Sequence, residues 1–102
     1  MTNRLSWDAL KQEYPMSPSE QAGYDRARRG YELGKQIRAL RETRGISQSE
    51  LARRMNLSQS VIARWEGGGA EPRIDTLARV GAALDADLVV EFRPRWPEAK
   101  PA

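Results

Sequence analysis

Apolar residues recur at helical spacing in five stretches of this chain, and each stretch has its own start or stop signal. Leu5, Trp7, Leu10 and Tyr14 come first. Their spacing predicts a short amphipathic leader helix near 6–13, closed by Pro15. Ser17-Pro18-Ser19-Glu20 then opens a long helix over about 18–43. Ser17 can cap it, Pro18 suits the first helical position, and Glu20 completes a capping box. Tyr24, Ala27, Tyr31, Ile37 and Leu40 make its rough apolar stripe. Gly23, Gly30 and Gly34 each cost up to about 1 kcal/mol against alanine in a helix, so they need a packing partner or predict fraying, with a bend near Gly30. Gly45 ends the helix.

Ser47-Gln48-Ser49-Glu50 is a second capping box and predicts a helix over about 48–55. Asn56 can take the left-handed turn conformation, Ser58 caps a helix over about 59–66, and Gly67-Gly68-Gly69 stops it. Pro72 precedes a last helix carrying Ile74, Leu77, Val80, Ala83 and Leu84. At 87–93 the period changes. Leu88, Val90 and Phe92 alternate with Val89, Glu91 and Arg93, which predicts a strand. Pro94 and Pro97 end it, and a disordered tail is expected over 94–102. The chain thus divides into a leader and N-terminal helix (1–30), a helical core (31–86), a strand (87–93) and a tail. The expected fold class is all-α, with five helices and one short C-terminal β-strand. A lone strand is unstable. Pairing with its own copy in a two-fold homodimer would satisfy it, making Leu88, Val90 and Phe92 the dimerisation residues.

Composition narrows the chemistry. At 102 residues the chain makes one domain with tails. It has no cysteine and no histidine, so thiolate nucleophiles, sulfur-based metal sites and the commonest general base are absent. The carboxylates show no paired spacing for acid–base work. No enzyme, no metal and no cofactor is the expectation. No apolar run approaches the roughly 20 residues of a membrane helix, which suggests a cytoplasmic protein with no membrane partner. Net charge is +3, with the excess in the middle third: residues 23–54 carry about +5 and the flanks about −1 each. That distribution suits a face that meets phosphates.

The two short helices, joined by about three residues, form a helix-turn-helix if small and apolar residues fall where they cross. Ala52 occupies the crossing, and Leu51, Met55, Leu57, Ile62 and Trp65 can share one core. Ser58, Gln59, Ser60 and Arg64 remain outside as a polar, hydrogen-bonding face of the kind that reads a major groove. The run from Gly45 through Gly67, with Gln48, Ala52, Ile62, Glu66 and Gly68 at these spacings, resembles the helix-turn-helix of the phage-repressor (XRE) family. Asn56 departs from that family's usual glycine. The resemblance implies a sequence-specific DNA-binding repressor. Gln59, Ser60 and Arg64 would contact bases, and Gln48, Ser58, Gly68 and Arg73 would contact phosphates. Gln48 would also brace the recognition helix, and Arg41 would pair with Glu66 inside the domain. A homodimer would read a palindromic operator with half-sites roughly 34 Å apart.

The Trp7/Tyr14 leader, the Tyr31–Arg41 approach helix and the Leu88–Phe92 end resemble HigA-type antitoxins. That resemblance implies neutralisation of a small RelE/HigB-like ribonuclease toxin and autoregulation of the operon. Trp7, Leu10 and Tyr14 would be the toxin contacts. Two alternatives stay open. One is a toxin inhibitor with weak or lost DNA binding, and the other a stand-alone XRE-family regulator.

Overall fold

The computed structural model describes residues 15–96, and within them the chain forms four helices. They are α1 (Pro18–Thr43), α2 (Gln48–Met55), α3 (Gln59–Glu66) and α4 (Ile74–Ala83). The leader helix near 6–13, with Trp7, Leu10 and Tyr14, falls outside the described residues, as do residues 97–102.

The all-α class fits the structure, but the five-helix architecture with a C-terminal strand does not. Four helices and no strand occur among the described residues, and residues 86–94 run as unladdered chain. Leu88, Val90 and Phe92 alternate as a strand would. Alternation supplies only faces, however, and a strand also needs a neighbour for its N–H and C=O groups. Four helices offer none, so Val89, Val90 and Phe92 lie exposed.

Local signals fix the helix ends. The Ser17 capping box closes both ways: Glu20 N–H donates to Ser17 Oγ at 3.2 Å, and Ser17 N–H donates to Glu20 Oε1 at 2.8 Å. At α2 only half of the expected box forms. Glu50 N–H donates to Ser47 Oγ at 3.0 Å, while the Glu50 carboxylate turns to Arg53 and Arg54. Hydrogen bonds from Arg53 and then Arg54 push the Glu50 carboxyl down to about 2. Asn56 sits in the left-handed region at φ 60° and ψ 44°, as the turn between α2 and α3 requires. Arginines close the C-terminal ends. Arg79 Nη2 donates to the Met55 carbonyl at 2.9 Å, Arg54 Nη1 to that of Ala83 at 3.1 Å, and Arg44 Nε to that of Leu84 at 2.7 Å.

The core is Ile37, Leu51, Ala52, Met55, Ile62, Val80 and Leu84, with Leu57, Trp65 and Leu77 packed against it. Burying a side chain such as Leu51 or Ile62 contributes about 1.5–3 kcal/mol. The apolar stripe read from the sequence holds at its C-terminal end, where Ile37 is buried and Leu40 packs on the core, but Tyr31 is exposed and the buried face of α1 is completed by Gly30, Gly34 and Arg41. The glycines explain this. A Cβ at Gly34 would stand 2.3 Å from the Trp65 carbonyl oxygen, and one at Gly30 would stand 2.9 Å from that of Ala70. Bare Cα positions let α1 lie directly on the C-terminal turn of α3. The helix runs unbroken through Gly30 because the glycine serves a contact rather than a bend.

Candidate nucleic-acid interface

Helix α3 turns Ile62, fully buried, toward the core and leaves Gln59, Ser60 and Arg64 exposed on its outer side. Residues 60 and 64, one helical turn apart, share a face, and Gln59 lies exposed beside them in the first turn. Arg64 has no ion-pair partner among the described residues, unlike most arginines of the middle third.

A continuous hydrogen-bonded chain holds that face. Arg41 is buried, with Glu66 as its partner. Nε and Nη2 of Arg41 donate to the two Glu66 carboxylate oxygens at 2.6 and 2.8 Å, and Nη1 donates to the Ile46 carbonyl at 2.9 Å. Gln48 Nε2 donates to Glu66 Oε1 at 3.0 Å, and Gln59 Nε2 donates to Gln48 Oε1 at 2.6 Å. The order is therefore Arg41, Glu66, Gln48, Gln59. Burial pushes the Glu66 carboxyl up, but the bonds from Arg41 and Gln48 outweigh it and hold the group below its ordinary value. Arg41 is raised, chiefly by its bond to Glu66.

The chain leaves Gln59 with its carbonyl oxygen and one amide hydrogen free. That acceptor and donor pair can meet an adenine edge in bidentate fashion. Gln48 keeps one amide hydrogen beyond its bracing role, enough for one phosphate oxygen.

The other phosphate candidates differ in what they offer. Ser58 occupies the N-cap position of α3 but makes no capping bond; its hydroxyl lies 3.1 Å from Ser60 Oγ. The first-turn amides of α3 thus lack a side-chain partner. Gly68 has φ +79° and its N–H donates to the Trp65 carbonyl at 3.0 Å. The N–H groups of Gly67 and Gly69 also bond back to α3, so a phosphate would compete for all three. Arg73 is exposed at the N-terminal end of α4, with Asp75 at 3.7 Å. Leu88, Val90 and Phe92 lie exposed and far along the chain from this face, in the segment after α4.

Many arginines of the middle third have partners within the chain. Arg29 pairs with Glu71, Arg38 with Glu42, and Arg53 and Arg54 with Glu50, while Arg44 caps α4. Sequence reasoning missed the capping arginines, because each closes a helix to which it does not itself belong. For Gly30 and Gly34 it left packing and fraying open, and the structure shows packing. Among the described residues no cluster of acidic, histidine or cysteine side chains could hold a metal ion. No helix there is long and apolar enough to cross a membrane.

Residues 37–90, just over half of the chain, match the helix-turn-helix family model. A protein of Sinorhizobium fredii described as an "uncharacterized HTH-type transcriptional regulator y4dL" is 43% identical over 65 residues, 64% of this chain and 33% of that protein. Human endothelial differentiation-related factor 1 is 35% identical over 57 residues, 56% of this chain and 38% of that protein. The chain spans about a third of the length of these curated relatives. No solved structure matches it.

Proposed function

Because the chain belongs to the helix-turn-helix family, of the XRE type, we propose that it is a sequence-specific DNA-binding transcriptional regulator. The observation that carries this is the arrangement of α3. Gln59, Ser60 and Arg64 are exposed on it, and a buried ion pair braces Gln59 through Gln48. Gln59 reads adenine, Arg64 reads guanine, and Ser60 bonds whichever edge adjoins. Gln48, Ser58, Arg73 and the Gly68 turn orient the helix on phosphates, which adds affinity without sequence information.

The test is binding-site selection from randomised duplexes, followed by gel shifts at rising salt. Arg64→Ala should flatten preference at one base position by roughly tenfold, as expected for losing one bidentate contact. Arg73→Ala should weaken all sequences alike and shallow the salt slope by about one unit. A wild-type chain that selects no sequence at moderate salt refutes the reading and favours an inhibitor without DNA binding.

Repression through a homodimer on a palindromic operator extends the same proposal. Its support is the run of exposed apolar residues Leu88, Val90 and Phe92, beside a groove of about 490 Å³ between α1 and α4. Phe92→Asp should lower the sedimentation coefficient and abolish preference for paired half-sites; an unchanged coefficient refutes it. Neutralisation of a RelE/HigB-like ribonuclease rests on the sequence resemblance of the flanks and on the leader residues Trp7, Leu10 and Tyr14. Co-expression decides it. The full chain should rescue growth from the adjacent ribonuclease, and a chain lacking residues 1–16 should not. The absence of such a neighbouring gene favours a stand-alone regulator.

A further inference from the structure

We infer that Gly69 is a positioning residue for Arg64, setting which base its guanidinium reaches; this rests on the DNA-reading role of Arg64 proposed above. The three glycines after α3 do different work. Gly68 is required by its backbone: φ is +79°, and a Cβ there would stand 3.1 Å from the Tyr31 Cα. Gly67 is not required, since a Cβ would meet nothing closer than the Ala63 carbonyl oxygen at 3.4 Å. Gly69 has no positive φ, so its backbone accepts alanine. Yet a Cβ at 69 would stand 3.0 Å from Arg64 Cγ, 3.3 Å from the Arg64 carbonyl oxygen and 3.9 Å from Arg64 Cδ. The stem of Arg64 therefore lies across the bare Cα of Gly69, and Gly69 N–H donates to the Arg64 carbonyl at 2.9 Å, which locks the two residues together.

A methyl group at 69 presses on two groups of Arg64. The carbonyl oxygen at 3.3 Å needs only a slight shift, whereas the tighter contact, with Cγ at 3.0 Å, is relieved by turning the stem of Arg64. Carbon atoms prefer separations of about 3.5–4.0 Å, so Cγ must move by about 0.5 Å, a rotation of roughly 20° about the first side-chain bond. The guanidinium lies farther along the lever and is carried about 1.5 Å, beyond the roughly 0.5 Å tolerance of a bidentate contact. No acidic partner among the described residues resists the movement. The glycine thus gives Arg64 its direction while touching no DNA itself.

The experiment compares wild type, Gly69→Ala, Gly67→Ala, Arg64→Ala and the Arg64→Ala/Gly69→Ala double variant in selections from randomised duplexes. Thermal melts and side-chain NMR couplings of the free proteins accompany the selections. Gly69→Ala should stay folded, with a cooperative melt, and show altered Arg64 couplings. It should lose about tenfold of its preference at the one base position that Arg64→Ala also flattens. Gly67→Ala should select as wild type does, and Gly69→Ala should change nothing further in the Arg64→Ala background. Unchanged selection or unchanged Arg64 couplings in Gly69→Ala overturns the role of Gly69 alone. A wild-type chain that selects no sequence overturns the DNA-reading proposal and this role with it.

Discussion

Replacing Glu66 by Gln keeps the shape of the side chain and removes the charge that faces Arg41. Both side chains are shielded from water, with 4% of Glu66 and 11% of Arg41 exposed. Removing one partner of a buried pair costs about 3–5 kcal/mol, because the other charge is left uncompensated. Glutamine retains one carbonyl acceptor, and the Ile46 carbonyl still accepts from Arg41, which places this variant just below that range, at about 2–3 kcal/mol. A domain of this size has about 4–12 kcal/mol of stability in total, so the loss is a large fraction. In urea, with a slope of about 1 kcal/mol/M, the midpoint should fall by about 2 M with the slope unchanged.

The pH profile separates this account from a simple packing defect. The folded Glu66 carboxyl lies below its unfolded value of 4.5. Its stabilising contribution is therefore complete above that value and is lost as pH falls through the folded value. Wild type should lose stability over that acidic window more steeply than Glu66→Gln, which has no proton to bind at 66. A midpoint within experimental error of wild type at pH 7, or parallel profiles in acid, would refute the claim that the charged pair stabilises the fold.

Further outcomes follow from the contacts of single residues. Gly34→Ala should cost about 1–3 kcal/mol in chemical denaturation, since the new Cβ meets backbone at 2.3 Å. Gly23→Ala, in open space on the same helix, should instead stabilise by up to about 1 kcal/mol. Asn56→Gly should be tolerated in the same assay, whereas Asn56→Val should cost at least 1–2 kcal/mol, because the left-handed backbone at φ 60° disfavours a branched side chain. Gln48→Ala should leave the thermal melt within about 1 kcal/mol of wild type while weakening the adenine preference assigned to Gln59, measured by selection from randomised duplexes.

The helices were legible because their signals are local. Ser17 and Glu20, Asn56 and Gly45 each act within a few residues, and the bounds of the first three described helices agree with those read from the sequence. The outward face of α3 was legible for a similar reason: once Ile62 points inward, helical period places Ser60 and Arg64 outside, and Gln59 is exposed because it begins the helix. What could not be read lies in contacts between distant residues. The buried stripe of α1 is set by the approach of α3 at Gly30 and Gly34, and nothing in hydrophobic period marks glycine as a packing face. The strand expected over 87–93 failed for the converse reason. Its alternation is a local property, but strand formation depends on a partner outside the segment.

Charge placement was legible only as a sum, because the sequence does not show which group each arginine meets. The arginines of α1 and α2 that gave the middle third its excess mostly meet carboxylates or helix carbonyls. The net charge of that segment is unchanged by these bonds, since a helix carbonyl neutralises nothing and Arg53 and Arg54 share one carboxylate. The salt dependence of the proposed DNA binding therefore still scales with the phosphates that the exposed cations meet. In that proposed role discrimination comes from base edges, and Gln59 is the base-contact candidate held by a hydrogen bond before contact. Rigid presentation is what the Arg41–Glu66–Gln48–Gln59 chain provides: Gln59 arrives with one rotamer already selected, so less conformational entropy is lost on contact.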